Sequence, residues 1–192
     1  MRFEFDMDRD KILAIIRSKA TGENIVKHML AMEAFMRALA KRLGGDEETW
    51  GIAGLVHDLD HNNEITPQEH GLKVGEILAK EGINLPDDIL QAVAAHNWRN
   101  NGVEPKKPMD WSLFCGDSLT GLVVACALVM PDKKLSSVTV ESVLKKFPVK
   151  RFAAGTRRED IKMCQEKLGI PLEEFVKICL ESMQGISQAL GL

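Results

Sequence analysis

The chain has 192 residues, of which 45% are hydrophobic and 28% charged, with a formal net charge of −3. This length is enough for one compact domain with a sizeable core, and the balance of residue types is ordinary for a globular protein. The slightly acidic charge and the lack of a basic stripe argue against duplex nucleic acid as the main partner.

Residues 1–6 lack the apolar core of a signal peptide. The most apolar later stretch, residues 113–130, carries Asp117 and is predicted to be too polar to span a bilayer. We therefore expect a cytoplasmic protein with no membrane partner. The cysteines show no Cys-x-x-Cys spacing and lie inside apolar patterns, which predicts buried, reduced thiols at Cys115, Cys126, Cys164 and Cys179.

Apolar residues recur at three- and four-residue steps along almost the whole chain, which is typical of helices. In order, helices are predicted over residues 8–18, from about 21 to 43, from an N-cap at Asp46 to about 57, from about 66 to 80, and over 86–96. A polar loop over 97–108 follows, then helices over about 110–130, 138–147, 158–168 and 171–190. No segment predicts a strand, so the expected fold is all-α, with one domain and eight to ten helices.

Histidine and aspartate positions carry the chemical signal. His57 and Asp58 stand side by side at the end of an apolar run, where an ending helix lets both side chains approach one ion. His28, His70, His96 and Asp117 lie in segments whose periodicity turns them at least partly inward. Four imidazoles and two carboxylates on five helices are explained most economically by a metal centre with mixed nitrogen and oxygen ligands.

Each of these residues also has a simpler interpretation when taken alone. A single histidine on an apolar face is usually a hydrogen-bonded core residue, which is an alternative for His28. A carboxylate buried among leucines needs a cation, a metal or hydrogen-bond donors. Asp117 therefore has two other possible partners, a hydrogen bond within its own helix or an arginine such as Arg99 or Arg151.

The order of these residues resembles the HD-domain superfamily of metal-dependent phosphohydrolases, whose fold is all-α. Further segments are similar to a bacterial and archaeal group of HD hydrolases: His57-Asp58-Leu59-Asp60, Pro67-Gln68-Glu69-His70, Ala94-Ala95-His96-Asn97, Asp117-Ser118-Leu119-Thr120-Gly121-Leu122, and Phe152-Ala153-Ala154-Gly155 with Arg158 beyond it. The resemblance implies a single HD-type helical domain over 1–192. Its motif core spans about 20–125, and a C-terminal helical extension spans about 135–192.

The resemblance also implies a role for each site residue. His28, His57, Asp58 and Asp117 would bind one divalent ion. His70 and His96 would hold a second ion bridged by Asp58, or face the substrate phosphate if only one ion binds, so Asp58, His70 and His96 are the expected catalytic residues. Mixed ligation suits Mn, Fe, Co, Ni or Zn better than Mg.

Roles for several neighbouring residues stay open. Candidates for holding substrate phosphate oxygens are Arg99, Lys150, Arg151 and Arg158, unless they are simply solvated surface charges. Asp60 is either an acceptor for a metal-binding histidine or a turn residue. Related sequences often have Tyr-Glu after the second aspartate, whereas this chain has His61-Asn62, so the role of His61 is open.

The leading hypothesis is a phosphohydrolase that cleaves a phosphoester or phosphoanhydride of a small molecule through a metal-activated water, and the resemblance implies a nucleotide as that molecule. A metal- or ligand-binding sensor or scaffold without turnover is the second hypothesis, and a di-iron oxygenase is a third. Methionines on the second helix and apolar residues near the C-terminus either pack inward or form the seam of a homodimer.

Overall fold

The computed structural model describes residues 8–62 and 64–192; the predicted absence of a signal peptide concerns residues 1–6, which lie outside them. Within the described residues there is no strand, so the all-α prediction is confirmed. The eleven α-helices are α1 (Arg9–Lys19), α2 (Glu23–Leu43), α3 (Glu47–Val56), α4 (Val74–Lys80), α5 (Asp87–His96), α6 (Trp98–Asn101), α7 (Pro108–Leu128), α8 (Val140–Lys146), α9 (Arg158–Leu168), α10 (Leu172–Gly185) and α11 (Ser187–Leu190).

Helix ends with a local signal agree with the predictions. Asp46 caps α3 by accepting a hydrogen bond from the backbone N–H of Thr49 at 2.8 Å. Gly44 ends α2 with a φ of 74°, a left-handed conformation that glycine adopts without steric cost. These ends depend on side chains and backbone a few residues apart, which a sequence displays directly.

Three predicted segments are wrong in their extent. The helix predicted from about residue 66 begins only at Val74, because Gly71 has a φ of 85° and interrupts it. The predicted loop over 97–108 contains the short helix α6. The predicted helix over 171–190 is split at Ile186 (φ −118°, ψ 20°) into α10 and α11. The two short helices raise the count above the eight to ten predicted.

The core is built around α2 and α7. α3 packs closely on α2 at Gly54, where an added Cβ would stand only 2.6 Å from the backbone carbonyl oxygen of Met32. α5 and α9 pack on α7, and α10 packs on both central helices. Phe35, Phe114 and Phe175 are buried at these contacts. The close approach of α2 and α3 places His28 beside the end of α3.

The cysteines and the methionines of α2 lie inside this core. All four cysteines are free and buried, as predicted. Met29, Met32 and Met36 are also buried, so that stripe of α2 packs inward.

The prediction that residues 113–130 are too polar to span a bilayer was too strict. By length and composition, α7 is long and apolar enough to cross a membrane. However, 67% of its most apolar 18-residue window is buried inside the fold, as in a core helix. Composition alone is therefore weak evidence for a membrane span here.

Candidate metal centre

The structure brings together all six residues that were predicted as metal ligands. They come from segments that are far apart in sequence: His28 from α2, His57 from the end of α3, Asp58 directly after it, His70 from the turn before α4, His96 from the end of α5, and Asp117 from α7. They form two groups of donor atoms that share one residue, Asp58.

The first group surrounds Nε2 of His28. This atom lies 3.1 Å from Nε2 of His57, 3.0 Å from Oδ1 of Asp117 and 3.6 Å from Oδ2 of Asp58. His57 is fully buried, and its Nε2 lies 3.6 Å from Oδ1 of Asp58. Two imidazole nitrogens and two carboxylates thus face a common point.

The second group lies on the other side of Asp58. Nε2 of His70 and Nε2 of His96 are 2.9 Å apart. They lie 3.1 and 3.5 Å, respectively, from Oδ1 of Asp58. Asp58 therefore contacts both pairs of histidines, which is the position that the resemblance implied for a bridging carboxylate.

The donor spacing fits a transition-metal ion. Nitrogen and oxygen ligands about 2.0–2.2 Å from an ion lie about 2.8–3.6 Å from one another when adjacent in octahedral or tetrahedral geometry. The distances from Nε2 of His28 to its three neighbours, 3.0, 3.1 and 3.6 Å, lie within that range or at its upper edge. The first group needs only small shifts to hold an ion.

Each imidazole is also oriented by a partner on its other nitrogen. Nδ1 of His57 donates to the carbonyl oxygen of Gly54 at 2.8 Å, and Nδ1 of His96 donates to the carbonyl oxygen of Val93. Nδ1 of His70 donates to Oδ1 of Asp60 at 2.8 Å. A proton held on Nδ1 leaves the lone pair of Nε2 free for an ion.

The fourth imidazole uses a hydroxyl group for the same purpose. The Thr120 hydroxyl donates to the carbonyl oxygen of Asp117 at 2.9 Å. Its only proton is then committed, so Oγ1 accepts from Nδ1 of His28 at 3.2 Å. Sequence reasoning missed this role of Thr120. Its position one helical turn after Asp117 predicts the contact with that carbonyl oxygen, but not the contact with His28, which is 92 residues away.

Asp60 is the fully buried organiser of the turn that carries His70. Its Oδ2 accepts the backbone N–H groups of Gly71 and Lys73 at 2.9 and 3.1 Å. Asn97 adds a second support, donating from Nδ2 to the carbonyl oxygens of Pro67 and His70 at 2.6 and 3.0 Å. Of the two roles left open for Asp60, the geometry supports the acceptor for a clustered histidine.

The electrostatics of the cluster favour positive charge at its centre. Burial opposes ionisation of Asp58 and Asp117, but the neighbouring histidines outweigh it and lower the pKa of both carboxyls. Burial likewise opposes protonation of His70, yet hydrogen bonds to Asp58 and Asp60 raise its pKa to about 10. A bound cation would supply the charge that protons supply in the metal-free chain.

The four cations predicted to hold phosphate lie elsewhere. Arg99 pairs with Asp160 at 2.8 Å and stacks on Trp98, while Lys150 and Arg151 are exposed. Arg158 is committed to the loop before α9, donating to the carbonyl oxygens of Phe147, Val149, Phe152, Ala153 and Thr156. Among the contacts of residues 8–62 and 64–192, none of these four forms an ion pair with the cluster.

Arg157 is the cation that does reach the cluster. Its Nη2 lies 3.7 Å from Oδ2 of Asp117, and its Nε lies 3.3 Å from Oδ2 of the buried Asp160. The side chain remains 39% exposed, so donors stay available for a ligand. Nothing local distinguishes Arg157 from Arg158 in the sequence, which is why it was missed.

Three other aromatic side chains have clear positions. His61 is exposed, and its ring contacts that of His70 edge-on with centroids 5.5 Å apart. Trp98 and Trp111 form an aromatic cluster with Phe114, with ring centroids 5.6–5.8 Å apart. The tryptophans thus contribute to packing between α6 and α7.

Comparison with known families agrees with this geometry. The family model described as "HD domain" matches residues 25–115. This segment therefore resembles an HD domain. The HD domain implies the superfamily of metal-dependent phosphohydrolases, so the resemblance seen in the sequence is confirmed. The match includes five of the six clustered residues and ends just before Asp117.

Curated relatives of the chain include several proteins named Ribonuclease Y. The one from Desulfotalea psychrophila is 26% identical over 140 residues, which are 72% of this chain and 26% of that protein. The one from Oleidesulfovibrio alaskensis is 28% identical over 116 residues, 58% of this chain and 21% of that protein. Ribonuclease Y 2 of Levilactobacillus brevis is 29% identical over 104 residues, 52% of this chain and 18% of that protein.

The chain thus matches about a quarter or less of the length of these relatives. No solved structure matches it significantly.

Proposed function

We propose that this protein is a hydrolase that cleaves a phosphoester or phosphoanhydride of a small molecule with the help of one or two divalent ions. The observation that supports this most strongly is Asp58, whose carboxylate lies within 3.1–3.6 Å of Nε2 atoms from both pairs of histidines. A structural metal site is normally closed by its protein ligands, whereas side chains of this cluster remain partly open to solvent.

His28, His57, Asp58 and Asp117 would hold one ion, and His70 and His96 a second one shared through Asp58. When bound, such ions supply a water-derived nucleophile at neutral pH and neutralise charge that develops on phosphoryl oxygens. With one ion, His70 and His96 would instead donate hydrogen bonds to the phosphate. Mn, Fe, Co, Ni and Zn remain the expected metals because the ligands mix imidazole and carboxylate.

The protein side chains would orient the reacting groups. Asp58, ionised and held by histidines, would orient the attacking water toward phosphorus. Arg157 would hold a non-reacting phosphate oxygen, because its guanidinium lies beside Asp117 with donors still exposed. Asp160 would position Arg157 through their 3.3 Å contact.

Two substrate classes follow from different observations. A nucleotide is the class implied by the resemblance to HD hydrolases. An RNA phosphodiester is favoured by the names of the relatives, all of which are Ribonuclease Y. Both classes present a phosphate ester to the same centre, so one panel of substrates tests them together.

The first experiment measures metal per chain by inductively coupled plasma mass spectrometry, on protein purified without chelator or affinity tag. The same preparation, and samples reloaded with Mn, Co, Ni, Fe or Zn, are assayed on nucleotides, bis(p-nitrophenyl) phosphate and a single-stranded oligoribonucleotide. We expect one or two ions per chain and metal-dependent release of product. Asp58→Ala should lose both, while the control Asp10→Ala, at a side chain 93% exposed on α1, should lose neither.

The outcomes separate the competing hypotheses. A chain that takes up none of these metals refutes the hydrolase proposal. Stoichiometric metal without turnover of any phosphoester favours the sensor or scaffold. Oxygen consumption by the iron-loaded chain, again without phosphoester turnover, favours the oxygenase.

A further inference from the structure

A cavity of about 480 Å³ opens beside the candidate metal centre, on the side of His28. α2 forms one wall and α7 the opposite wall, and residues 190–192 close the cavity from the C-terminal end. His28 and Thr120, which are hydrogen-bonded to each other, lie at the junction between the cavity and the cluster. A ligand in this cavity would therefore be continuous with a phosphate at the metal centre.

The wall formed by α7 is apolar and follows one face of the helix. Gly121, Val124 and Leu128 continue the line that begins at Asp117, at steps of three and four residues. From Thr120 to Leu128, eight residues of helix span about 12 Å. Leu128 is 51% exposed, one of three large apolar side chains with this degree of exposure in the described residues. An exposed leucine that lines a cavity is available to pack against an apolar ligand.

The opposite wall contributes one cation and further apolar surface. Lys27 lines the cavity one residue before His28, and its Nζ lies 3.0 Å from where a Cβ on Gly191 would stand. No ion pair or hydrogen bond joins this ammonium group to any residue in 8–62 or 64–192. Leu190 and Leu192 close the cavity beside it. This ammonium group is thus next to the centre, and apolar surface extends away from it.

We infer that this cavity binds the organic part of a phosphate ester whose phosphate lies at the metal centre, and that this part is apolar and up to about 12 Å long. The inference rests on the proposed function. Lys27 would neutralise a phosphate oxygen at the entrance, and Val124, Leu128 and Leu190 would contact the organic group. A nucleobase in the same place would leave its polar edges against leucine and valine, so the base of a nucleotide or RNA substrate would lie outside this cavity.

Methyl-, butyl- and octylphosphonate are suitable probes because their carbon–phosphorus bond is not a phosphoester. Their dissociation constants are measured by isothermal titration calorimetry on the metal-loaded protein. We expect octylphosphonate to bind at least about tenfold more tightly than methylphosphonate, since each buried CH₂ contributes up to about fourfold. Lys27→Met should weaken binding of all three probes by a similar factor.

Gly121→Leu provides the steric test. Gly121 lies in the interior of α7, and a Cβ added there meets nothing within 4 Å, so the substitution fills the cavity without displacing the core. In this variant, we expect octylphosphonate to bind less than about threefold more tightly than methylphosphonate. Gly185→Leu in α10, where a Cβ also meets nothing within 4 Å, is the matched control and should bind like the wild type. Leu128→Glu, at an exposed side chain, is a second variant that should disfavour the octyl probe alone.

Equal affinity for methyl- and octylphosphonate in the wild type would overturn the inference. So would a Gly121→Leu variant that still prefers octylphosphonate as strongly as the wild type does. Failure to bind any phosphonate would overturn it as well. A different result would refute the proposed function but not the role of the cavity. In that case the chain would bind the probes with the expected dependence on length but would release no phosphate from the matching alkyl phosphates. Conversely, hydrolysis that ignores chain length would leave the hydrolase intact and refute the role of this cavity.

Discussion

Asp60 and His70 form the most informative contact in the candidate site. Nδ1 of His70 donates to Oδ1 of Asp60 at 2.8 Å, while Oδ2 of the same carboxylate accepts the backbone N–H groups of Gly71 and Lys73. One fully buried side chain therefore sets the tautomer of an imidazole and the path of the turn that carries it.

Asp60→Asn should weaken binding at the second group, formed by Asp58, His70 and His96. An amide cannot accept at both positions: either its NH₂ group faces Nδ1 of His70, or it faces the N–H groups of the turn. We expect affinity for one ion to fall about 10–100-fold, while the other ion binds as before. Chelator-competition titrations of Mn or Zn would measure this, with Asp10→Asn as the control. An equal loss of affinity for both ions would contradict the inference that, of the clustered histidines, Asp60 orients only His70.

Gly54→Ala should damage both stability and metal binding. The added Cβ would stand 2.6 Å from the carbonyl oxygen of Met32, so α2 and α3 must separate. We expect the free energy of unfolding to fall by about 1–3 kcal/mol, which is the usual cost of overpacking. The separation also moves His28 from His57, so metal content should fall.

Urea denaturation and metal analysis would test the Gly54 prediction. Gly121→Ala is the matched control, because its Cβ meets open space and a helical alanine is favoured over glycine. A Gly54→Ala protein as stable and as metal-rich as the wild type would show that the close helix contact does not position the ligands.

Arg157 and Arg158 are expected to differ sharply. Arg157→Gln should lower kcat/KM about 10–100-fold at unchanged metal content, because a charged hydrogen bond to phosphate is lost. Arg158→Gln should instead lower the free energy of unfolding by about 1–3 kcal/mol, because carbonyl oxygens of the loop before α9 lose their donor. Steady-state kinetics and urea denaturation of the two variants measure these effects, and a reversed pattern would refute the assignment.

The cysteine thiols should be unreactive in the folded protein. Burial raises the pKa of all four, and that of Cys164 rises from an ordinary 9.0 to about 11. The folded state thus keeps protons that the unfolded state loses above pH 9. Stability from this source is complete below that pH and declines as pH rises from 9 toward 11.

Alkylation followed by mass spectrometry would check this. At pH 8, iodoacetamide should label the native thiols at least about 100-fold more slowly than thiols in the unfolded chain. Urea denaturation at pH 8 and pH 10 should show lower stability at the higher pH, in a chain that has no tyrosine to titrate in that range. Rapid labelling of the native protein would contradict the burial of these side chains.

The sequence by itself determined the features that depend on nearby residues or on a known motif. The stripe of α2, its end at Gly44 and the cap at Asp46 depend on neighbours within a few residues, so periodicity and residue type predicted them. The six candidate ligands were found because histidines are few and their order matches a known family.

Only the tertiary structure decided how those residues are supported and what lies around them. Thr120 is 92 residues from His28, and Arg157 lies 40 residues beyond Asp117 along the chain, so no local pattern links the partners. The start of α4 was also decided by the tertiary structure. The sequence pattern predicts an earlier start, but the Asp60 carboxylate and the backbone of Gly71 hold the preceding residues in a turn. Periodicity encodes which face of a helix is buried, but the atom that meets a given side chain is set by the packing of distant helices, which a linear pattern does not contain.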